Sequence, residues 1–388
     1  MNIIEKGLAV LTPEDAIIRR EIEKYLSHLL EYHDYLPVYS PHIGDIALFT
    51  TSGHYPYYKD SMFPLIEETA LNIDEIRDIS PDRYALKPMN CPFHIQAYQS
   101  EPRSYRDLPV RYYEFGTVYR NESSGAINGM FRLRGFTQDD GHIFCTMEQV
   151  ENEVVGCINL VQEVMKKFEM EVTCKLSIRS FEVEDQSKYV GNDLDWKKAQ
   201  DILLDCIPSL HTLDPFGAAF YGPKIDFIAK DKLGRDWQLG TVQLDFNLPD
   251  RFNLSYKASE NGSERPVMIH RALLGSLERF IGILKEQGPL PIWLQKEQVR
   301  IIPVHEELLS YAKEVRRTMK QFGIRATVDE EVAPLSAKVK NCIEAGVPIR
   351  AVVGKQEKEK EQITVHDADG KEVMGYAHFC TLFEEMYS

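Results

Sequence analysis

Apolar residues Ile18, Ile22, Tyr25, Leu26, Leu29 and Leu30 recur at helical spacing, the mark of a helix with one buried stripe. Thr12-Pro13-Glu14-Asp15 opens it with a capping hydroxyl, a proline in the first turn and acids at the positive end of the dipole. The helix is predicted to end near His33-Asp34, before a short strand from Leu36 to Tyr39. From Arg111 the pattern changes. Tyr112 to Tyr119 is rich in aromatic and β-branched residues, Asn121 to Gly129 is polar, and Phe131 to Thr137 again reads as strand. This predicts a long antiparallel hairpin with a mobile tip. Val150, Val154, Cys157, Ile158, Val161, Met165 and Phe168 mark a second amphipathic helix over Met147 to Phe168. Residues 171 to 180 read as strand and 196 to 206 as helix.

Ala218 to Lys230 and Arg235 to Phe246 read as a β-hairpin around Leu233-Gly234. Strict alternation in its second arm puts Trp237, Leu239, Thr241, Gln243 and Asp245 on one face and Gln238, Gly240, Val242, Leu244 and Phe246 on the other. Glutamines on both faces make poor core, and the central Gly240 predicts close approach of a ligand or of backbone. Pro266 to Lys285 begins as strand and becomes a helix with an apolar stripe from Leu273 to Leu284; His270 stands near the junction and Arg279 off the stripe. Gly288-Pro289-Leu290-Pro291 is a linker signal. Beyond it strands at 299–304, 324–328, 349–353 and 363–365 alternate with helices, with an Asp369-Gly370 turn before a terminal helix. We therefore expect two domains, 1–294 and 295–388, the second an α/β unit.

Bulk numbers narrow the class. The net charge of −15 argues against broad nonspecific nucleic-acid binding. Residues 295–388 hold 14 basic and 16 acidic side chains, so nearly all the excess acid precedes them and the second domain is the less repulsive to RNA. Residues 66 to 82 are acidic and read as a surface excursion. Seven cysteines without a CxxC pair suit a reducing compartment. With no signal core and no membrane-spanning run, a soluble cytoplasmic protein is expected.

Several stretches carry chemistry. Arg120 and Arg132 flank the hairpin loop with Glu122 between them; guanidinium groups fork onto phosphate and stack on purines, though exposed arginines often merely flank a loop. Cys91 and His94 lie close together, with Pro88 and Pro92 fixing a turn, a spacing that suits either a zinc pair or a buried thiol. Alternation puts Gln138, Asp140 and His142 on one face, able to hold a metal or a polar substrate, or to be a solvated strand end. The aromatic stretch Ser52 to Phe63 is either a site wall or a packed surface loop.

Taken in order, SGHYPYYKDSMF, LKPMNCPFH, FGTVYRNESSG, FRLRGFTQDDGHIFC, FYGPKIDF, WQLGTVQLDF and VMIHRALLGSLERF closely resemble the threonyl-tRNA synthetase family over about Gly7 to Leu294, and the remainder resembles its anticodon-binding domain. The resemblance implies an α+β class II catalytic core, an antiparallel sheet ringed by helices, dimeric through the first motif at Pro13 to Pro41. It implies a threonine–tRNA ligase that activates L-threonine with ATP and transfers it to the 3′ end of tRNA. Arg120 would hold the α-phosphate and the threonine carboxylate, Glu122 the adenine side and Arg132 the γ-phosphate, while Arg279 would pack on adenine, with Mg2+ bridging the phosphates. Cys91, His142 and His270 match zinc ligands, one ion per subunit, with an open position for the threonine amino group and hydroxyl. Asp140 matches the acid that receives that hydroxyl. Gln138, Tyr221, Lys224, Gln238, Thr241, Gln243 and Ser276 match other pocket positions, and His94 is then not a ligand.

The sequence also departs from the family. It starts almost at the first motif, without the amino-terminal domain that edits seryl-tRNA, so serine is expected to be rejected poorly unless a separate editing factor acts. Phe93 stands where the family generally has glycine, and Lys338-Val339-Lys340 and Val365-His366-Asp367 replace anticodon-side residues, while Glu357 is kept. Two rival readings are a threonine-activating homologue with a non-tRNA acceptor and a non-catalytic RNA-binding paralogue.

Overall fold

The computed structural model describes residues 3–67, 83–181, 189–208, 212–231, 233–259, 262–368 and 370–387. Most of the acidic 66–82 stretch, and Asp369 of the expected turn, lie outside them. Two compact units are distinguished: Met1–Val10 with Glu23–Gly288, and Leu11–Ile22 with Pro289–Ser388.

In the first unit eight strands form one sheet: β1 (Leu36–Pro37), β2 (Val110–Tyr119), β3 (Gly135–Cys145), β4 (Val172–Ser177), β5 (Thr212–Asp214), β6 (Lys224–Lys230), β7 (Asp236–Asp245) and β8 (Val267–Ser276). Their order is β5-β4-β6-β7-β8-β3-β2-β1. The inner six are antiparallel, and β1 and β5 pair parallel with their neighbours at the two edges. The helix α1 (Pro13–Tyr32), whose residues up to Ile22 belong to the second unit, forms as its stripe predicts, burying Ile18, Ile22, Leu26 and Leu30. It ends where Asp34 turns to a positive φ of 62°. Helix α2 (Cys91–Gln99) was not legible, because Pro88 and Pro92 read as a turn; Pro92 instead occupies its first turn, where a missing N–H costs nothing. Helix α3 (Val150–Lys167) buries the predicted stripe against β3, β7 and β8. Helix α4 (Asp193–Cys206) follows β4, and α5 (Leu277–Glu286) continues β8.

The hairpin β2–β3 pairs without a break from Val110↔Phe144 to Tyr119↔Gly135. Its second arm begins four residues later than Phe131. Residues 131–134 belong to the tip instead: Phe131 N–H bonds back to Asn128, and Arg134 N–H donates to Gly7 at 2.7 Å rather than into the hairpin. The Arg134 guanidinium then ties the tip together through Glu122 O, Lys6 O and Ser124 Oγ.

Alternation fails in β7. Asp226 pairs with Thr241, but Ile228 pairs with Gln238, so β7 carries one extra residue there. The bulge turns Gln238 to the side of Thr241, and Gln238 Nε2 donates to Thr241 Oγ1 at 3.0 Å. Gly240 is explained by backbone: a Cβ there would lie 2.9 Å from Leu273 O and 3.1 Å from Ala272 O.

In the second unit β9 (Val299–Pro303), β10 (Ala326–Val328), β11 (Ile349–Val353), β12 (Gln362–His366) and β13 (Lys371–Gly375) form a mixed sheet in the order β10-β9-β11-β12-β13. Helices α6 (Leu309–Gln321), α7 (Leu335–Glu344) and α8 (Tyr376–Tyr387) accompany it. Its core joins Val299, Ile301, Val315, Met319, Ile349, Ala351 and Val353 to Phe379 and Phe383. Sequence reading did not find β13, an edge strand whose first three residues are exposed and which therefore shows no apolar alternation. Among the described residues no helix is long and apolar enough to cross a membrane, and all seven cysteines are free thiols.

Candidate active site

Cys91, Arg120, Gln138, Asp140, His142, Tyr221, Lys224, Gln238, Thr241, Gln243, His270, Ser276 and Arg279 line one cavity of about 360 Å³. A second cavity of about 270 Å³ shares Arg120, Ser276 and Arg279 with it and adds Glu122 and Arg132. Residues far apart in the chain meet because β3, β8, β7 and β6 are neighbours in the sheet, while Cys91 comes from the start of α2, Arg120 from just past β2 and Arg279 from α5.

At one end the Cys91 thiol and one nitrogen each of His142 and His270 lie within 4.8 Å of one another, all three residues buried, the single such group among the described residues. His142 and His270 are direct cross-strand partners on β3 and β8. His142 Nε2 and His270 Nδ1 face each other at 2.9 Å. Their outer nitrogens are fixed from behind: His142 Nδ1 meets His94 Nδ1 at 2.9 Å, and His270 Nε2 meets Asp245 Oδ2 at 3.0 Å. Buried thiol and imidazole donors oriented by outer partners suit a borderline-soft divalent ion, and zinc fits this set. His94 therefore sits behind a donor and outside the donor group. Its own Nε2 lies 3.6 Å from Glu114 Oε1, and Glu114 in turn accepts from Ser40 and the buried Lys87.

Burial, with His270 and His94 nearby, holds the His142 imidazole well below its usual range, so it stays neutral and able to donate a lone pair. Burial also pushes the Cys91 thiol well up, aided by Asp140 and Asp245. A bound cation reverses that sign, because its charge favours the thiolate.

The aromatic stretch lines neither cavity, but it packs behind the donor set. His54 is buried with its Nε2 3.6 Å from Cys91 Sγ and 3.0 Å from Met89 Sδ. Burial, then His270, Arg120 and Arg251, lowers its pKa to about 3. Phe220 stands over it, stacked on Tyr57 at 5.7 Å. Phe93 points away from the cavity: its ring packs on Phe49, and only glycine at position 44 leaves it room, since a Cβ there would lie 2.7 Å from Phe93 Cζ.

At the other end three guanidinium groups converge. Arg120 lies between the rings of Tyr58 and Phe136, 5.7 and 5.1 Å from their centroids. Arg279 donates Nε–H to Phe131 O at 2.8 Å. Burial lowers its pKa, as do Arg132 and Arg120, against which Glu122 acts. Arg132 and Glu122 bind each other at 2.8 Å. Such a concentration of cations is costly for the chain alone and favourable around a polyanion. Ser276 caps α5 by accepting from Arg279 N–H at 3.3 Å. The buried Asp139 accepts from the N–H groups of Leu273, Leu274 and Gly275 at 2.6, 3.0 and 2.7 Å, which fixes the strand-to-helix turn beneath Ser276 and Arg279.

Asp226 escaped sequence reading. Its buried carboxylate accepts from Lys224 Nζ at 2.8 Å, Gln238 Nε2 at 2.6 Å, Thr241 Oγ1 at 3.2 Å and Ser177 Oγ at 2.8 Å. One acid thus aligns three cavity residues. The signal was present: Lys224 and Asp226 are two apart on a strand and share a face. On the neighbouring strand Gln243 donates to Gly222 O at 3.1 Å, and the Tyr221 ring lies 4.9 Å from that of His270.

Comparison with known proteins then places the chain. The family described as tRNA synthetase class II core domain (G, H, P, S and T) matches residues 75–288, and the anticodon binding domain family matches 298–380. A crystal structure described as the RNA binding domain of threonyl-tRNA synthetase from Cryptosporidium parvum superposes with a TM-score of 0.91 at 32% identity, over 100% of this chain and 96% of that one. The chain belongs to the threonyl-tRNA synthetase family. A putative threonyl-tRNA synthetase from Aeropyrum pernix is also similar, with a TM-score of 0.78 at 29% identity over 98% of this chain and 87% of that one. Threonine–tRNA ligase from Chloroherpeton thalassium is 46% identical over 93% of this chain and 55% of its own length. That from Deinococcus deserti is 43% identical over 94% and 55%. The chain thus spans about half the length of these ligases. A prolyl-tRNA synthetase at 19% identity and a TM-score of 0.65 shares the fold.

Proposed function

We propose that this chain activates L-threonine with ATP and passes the aminoacyl group to the 3′ end of tRNA, with 1–294 as catalytic domain and 295–388 as anticodon-binding domain. One observation carries the reading: a buried Cys–His–His donor set beside Asp140 shares its cavity with Arg120 and Arg279. Cys91, His142 and His270 would hold zinc, which would supply a Lewis acid for the amino group and hydroxyl of the substrate. Gln138, Tyr221 and Gln243 bound the amino-acid end, and Asp140 accepts a hydrogen bond from the hydroxyl. Valine matches threonine in shape but leaves Asp140 without its partner, so it is refused; serine loses only a methyl. Arg120 and Lys224 draw the carboxylate and the α-phosphate together. Arg120 and Arg279 neutralise the charge that builds as the carboxylate oxygen attacks the phosphorus and pyrophosphate leaves. Gln238, Thr241 and Ser276 border the nucleotide, Glu122 marks the adenine side and Arg132 binds the γ-phosphate, where Mg2+ would add further neutralisation of the phosphate charge.

The test is ATP–pyrophosphate exchange across the standard amino acids without tRNA. Exchange with threonine, weaker with serine and absent with valine, is expected; no exchange with any amino acid from zinc-loaded protein overturns the reading. A threonine transcript added afterwards tests the acceptor. A second reading, transfer to a non-tRNA acceptor, is favoured by the second unit. Lys338 is buried against Pro303 O and Asp329, and Glu357 is committed to Thr364 Oγ1 and Gly354 N–H. Activation without charging of that transcript selects the second reading.

The edge strand β1 supports a homodimer. Leu36 is 57% exposed there, Tyr39 just beyond it 93%, and Tyr32 at the end of α1 83%; a second copy would cover this edge. Sedimentation at the monomer mass at micromolar concentration would remove that assignment. Free thiols fit a cytoplasmic setting.

A further inference from the structure

Asn90 precedes Cys91 at the N-cap of α2 and is fully buried. An asparagine in that place ordinarily accepts from the first free N–H groups of its helix. This one makes no such bond. Its Nδ2 instead donates to Asp140 Oδ2 on β3 at 2.9 Å. The neighbouring strand is shaped around it: a Cβ on Gly116 of β2 would lie 2.4 Å from Asn90 Nδ2 and 2.6 Å from both Cγ and Oδ1. Among the described residues Asn90 Oδ1 has no hydrogen-bond partner. An amide that forgoes its cap, leaves a buried acceptor unpaired and requires glycine across from it lowers stability. What the fold gains is one fixed carboxylate.

We infer that Asn90 is a specificity-determining positioning residue that clamps Asp140 for recognition of a β-hydroxy amino acid. The amide occupies Oδ2. The other oxygen, Oδ1, is 3.9 Å from His142 Nε2, on the side of the donor set, and is the one left for the substrate hydroxyl. Without the amide the carboxylate turns about its terminal torsion, a broad and soft one, and its hydroxyl-receiving orientation is no longer held. This inference rests on the threonine reading, and it predicts a pattern across substrates. Threonine and serine both present a hydroxyl and weaken together. Valine presents none and is little affected, so the preference for threonine over valine falls.

The experiment measures pyrophosphate exchange with threonine and serine, calorimetric binding of threonine and valine, and zinc content. It uses the wild type, Asn90→Asp, Asn90→Ala and Gly116→Ala. Asn90→Asp keeps the shape and removes the donor. Its KM and Kd for threonine are expected to rise about 10- to 100-fold, the range for a lost hydrogen bond to a charged group, with serine rising in step and zinc content and KM for ATP unchanged. Asn90→Ala reports the same loss free of the added carboxylate. Gly116→Ala, which displaces the amide with Asn90 still present, gives the same substrate pattern. The inference is overturned if Asn90→Asp and Asn90→Ala keep the threonine KM and the ratio of the valine Kd to the threonine Kd. It is equally overturned if all three amino acids weaken in step with zinc loss. Absence of threonine exchange in the wild type is a separate outcome, read before any variant, and withdraws the threonine reading itself.

Discussion

Cys91→Ser is expected to lose bound zinc and, with it, threonine activation to below detection. The reasoning starts from the donor set. Three protein ligands are the fewest that hold a catalytic zinc, and here they come from a helix start and two adjacent strands, so none of the three can shift to cover for another. Serine offers a harder, far less acidic donor in the same volume. The two remaining imidazoles keep their outer partners, His94 and Asp245, so the fold around them persists. The defect is therefore chemical rather than a collapse of the core. A second readout follows from the thiol. Burial holds Cys91 protonated in the chain alone, so zinc uptake at neutral pH releases a proton that the serine variant does not release. Metal analysis, exchange assays and calorimetry in buffers of different ionisation enthalpy check this. Normal threonine exchange from a zinc-free Cys91→Ser protein would falsify the metal assignment.

Arg120→Ala is expected to slow threonyl-adenylate formation by at least about 10²- to 10³-fold, the scale for one lost charge contact made in the transition state. Arg120 lines both cavities and is held between Tyr58 and Phe136. A guanidinium held between two rings reorganises little when charge develops before it. Arg120→Lys keeps the charge but loses the planar fork and the stacking, and is expected to recover only part of the rate. Rapid-quench single-turnover measurement at saturating ATP and threonine isolates the chemical step. A wild-type rate in the alanine variant would assign the α-phosphate to another group, of which Arg279 is the nearest in kind.

Legibility divided along a physical line. Periodicity reports which residues are buried, and burial is local in sequence, so the stripes of α1, α3 and α5 and the strands β7 and β8 were readable. So was the face that joins Gln138, Asp140 and His142, because alternation in β3 is unbroken. The roles of Cys91, His142 and His270 came from family resemblance, since nothing local ties a thiol at 91 to imidazoles at 142 and 270.

The sequence by itself determined most of the order of elements, α2 and β13 apart, and the residue types gathered in the cavity. Tertiary structure decided the rest. The bulge in β7 moved Gln238 beside Thr241 against the alternation rule, because one extra residue in a strand reverses every side chain beyond it. Cross-strand pairing brought His142 against His270, and helix α2 swung His94 behind a donor instead of making it one. Asn90 acquired its part only through a partner on another element, and Asp226, beyond its strand neighbour Lys224, through Gln238 and Thr241 on β7. A hydrogen bond between elements distant in sequence leaves no period in the chain, so these contacts become visible only once the sheet is assembled.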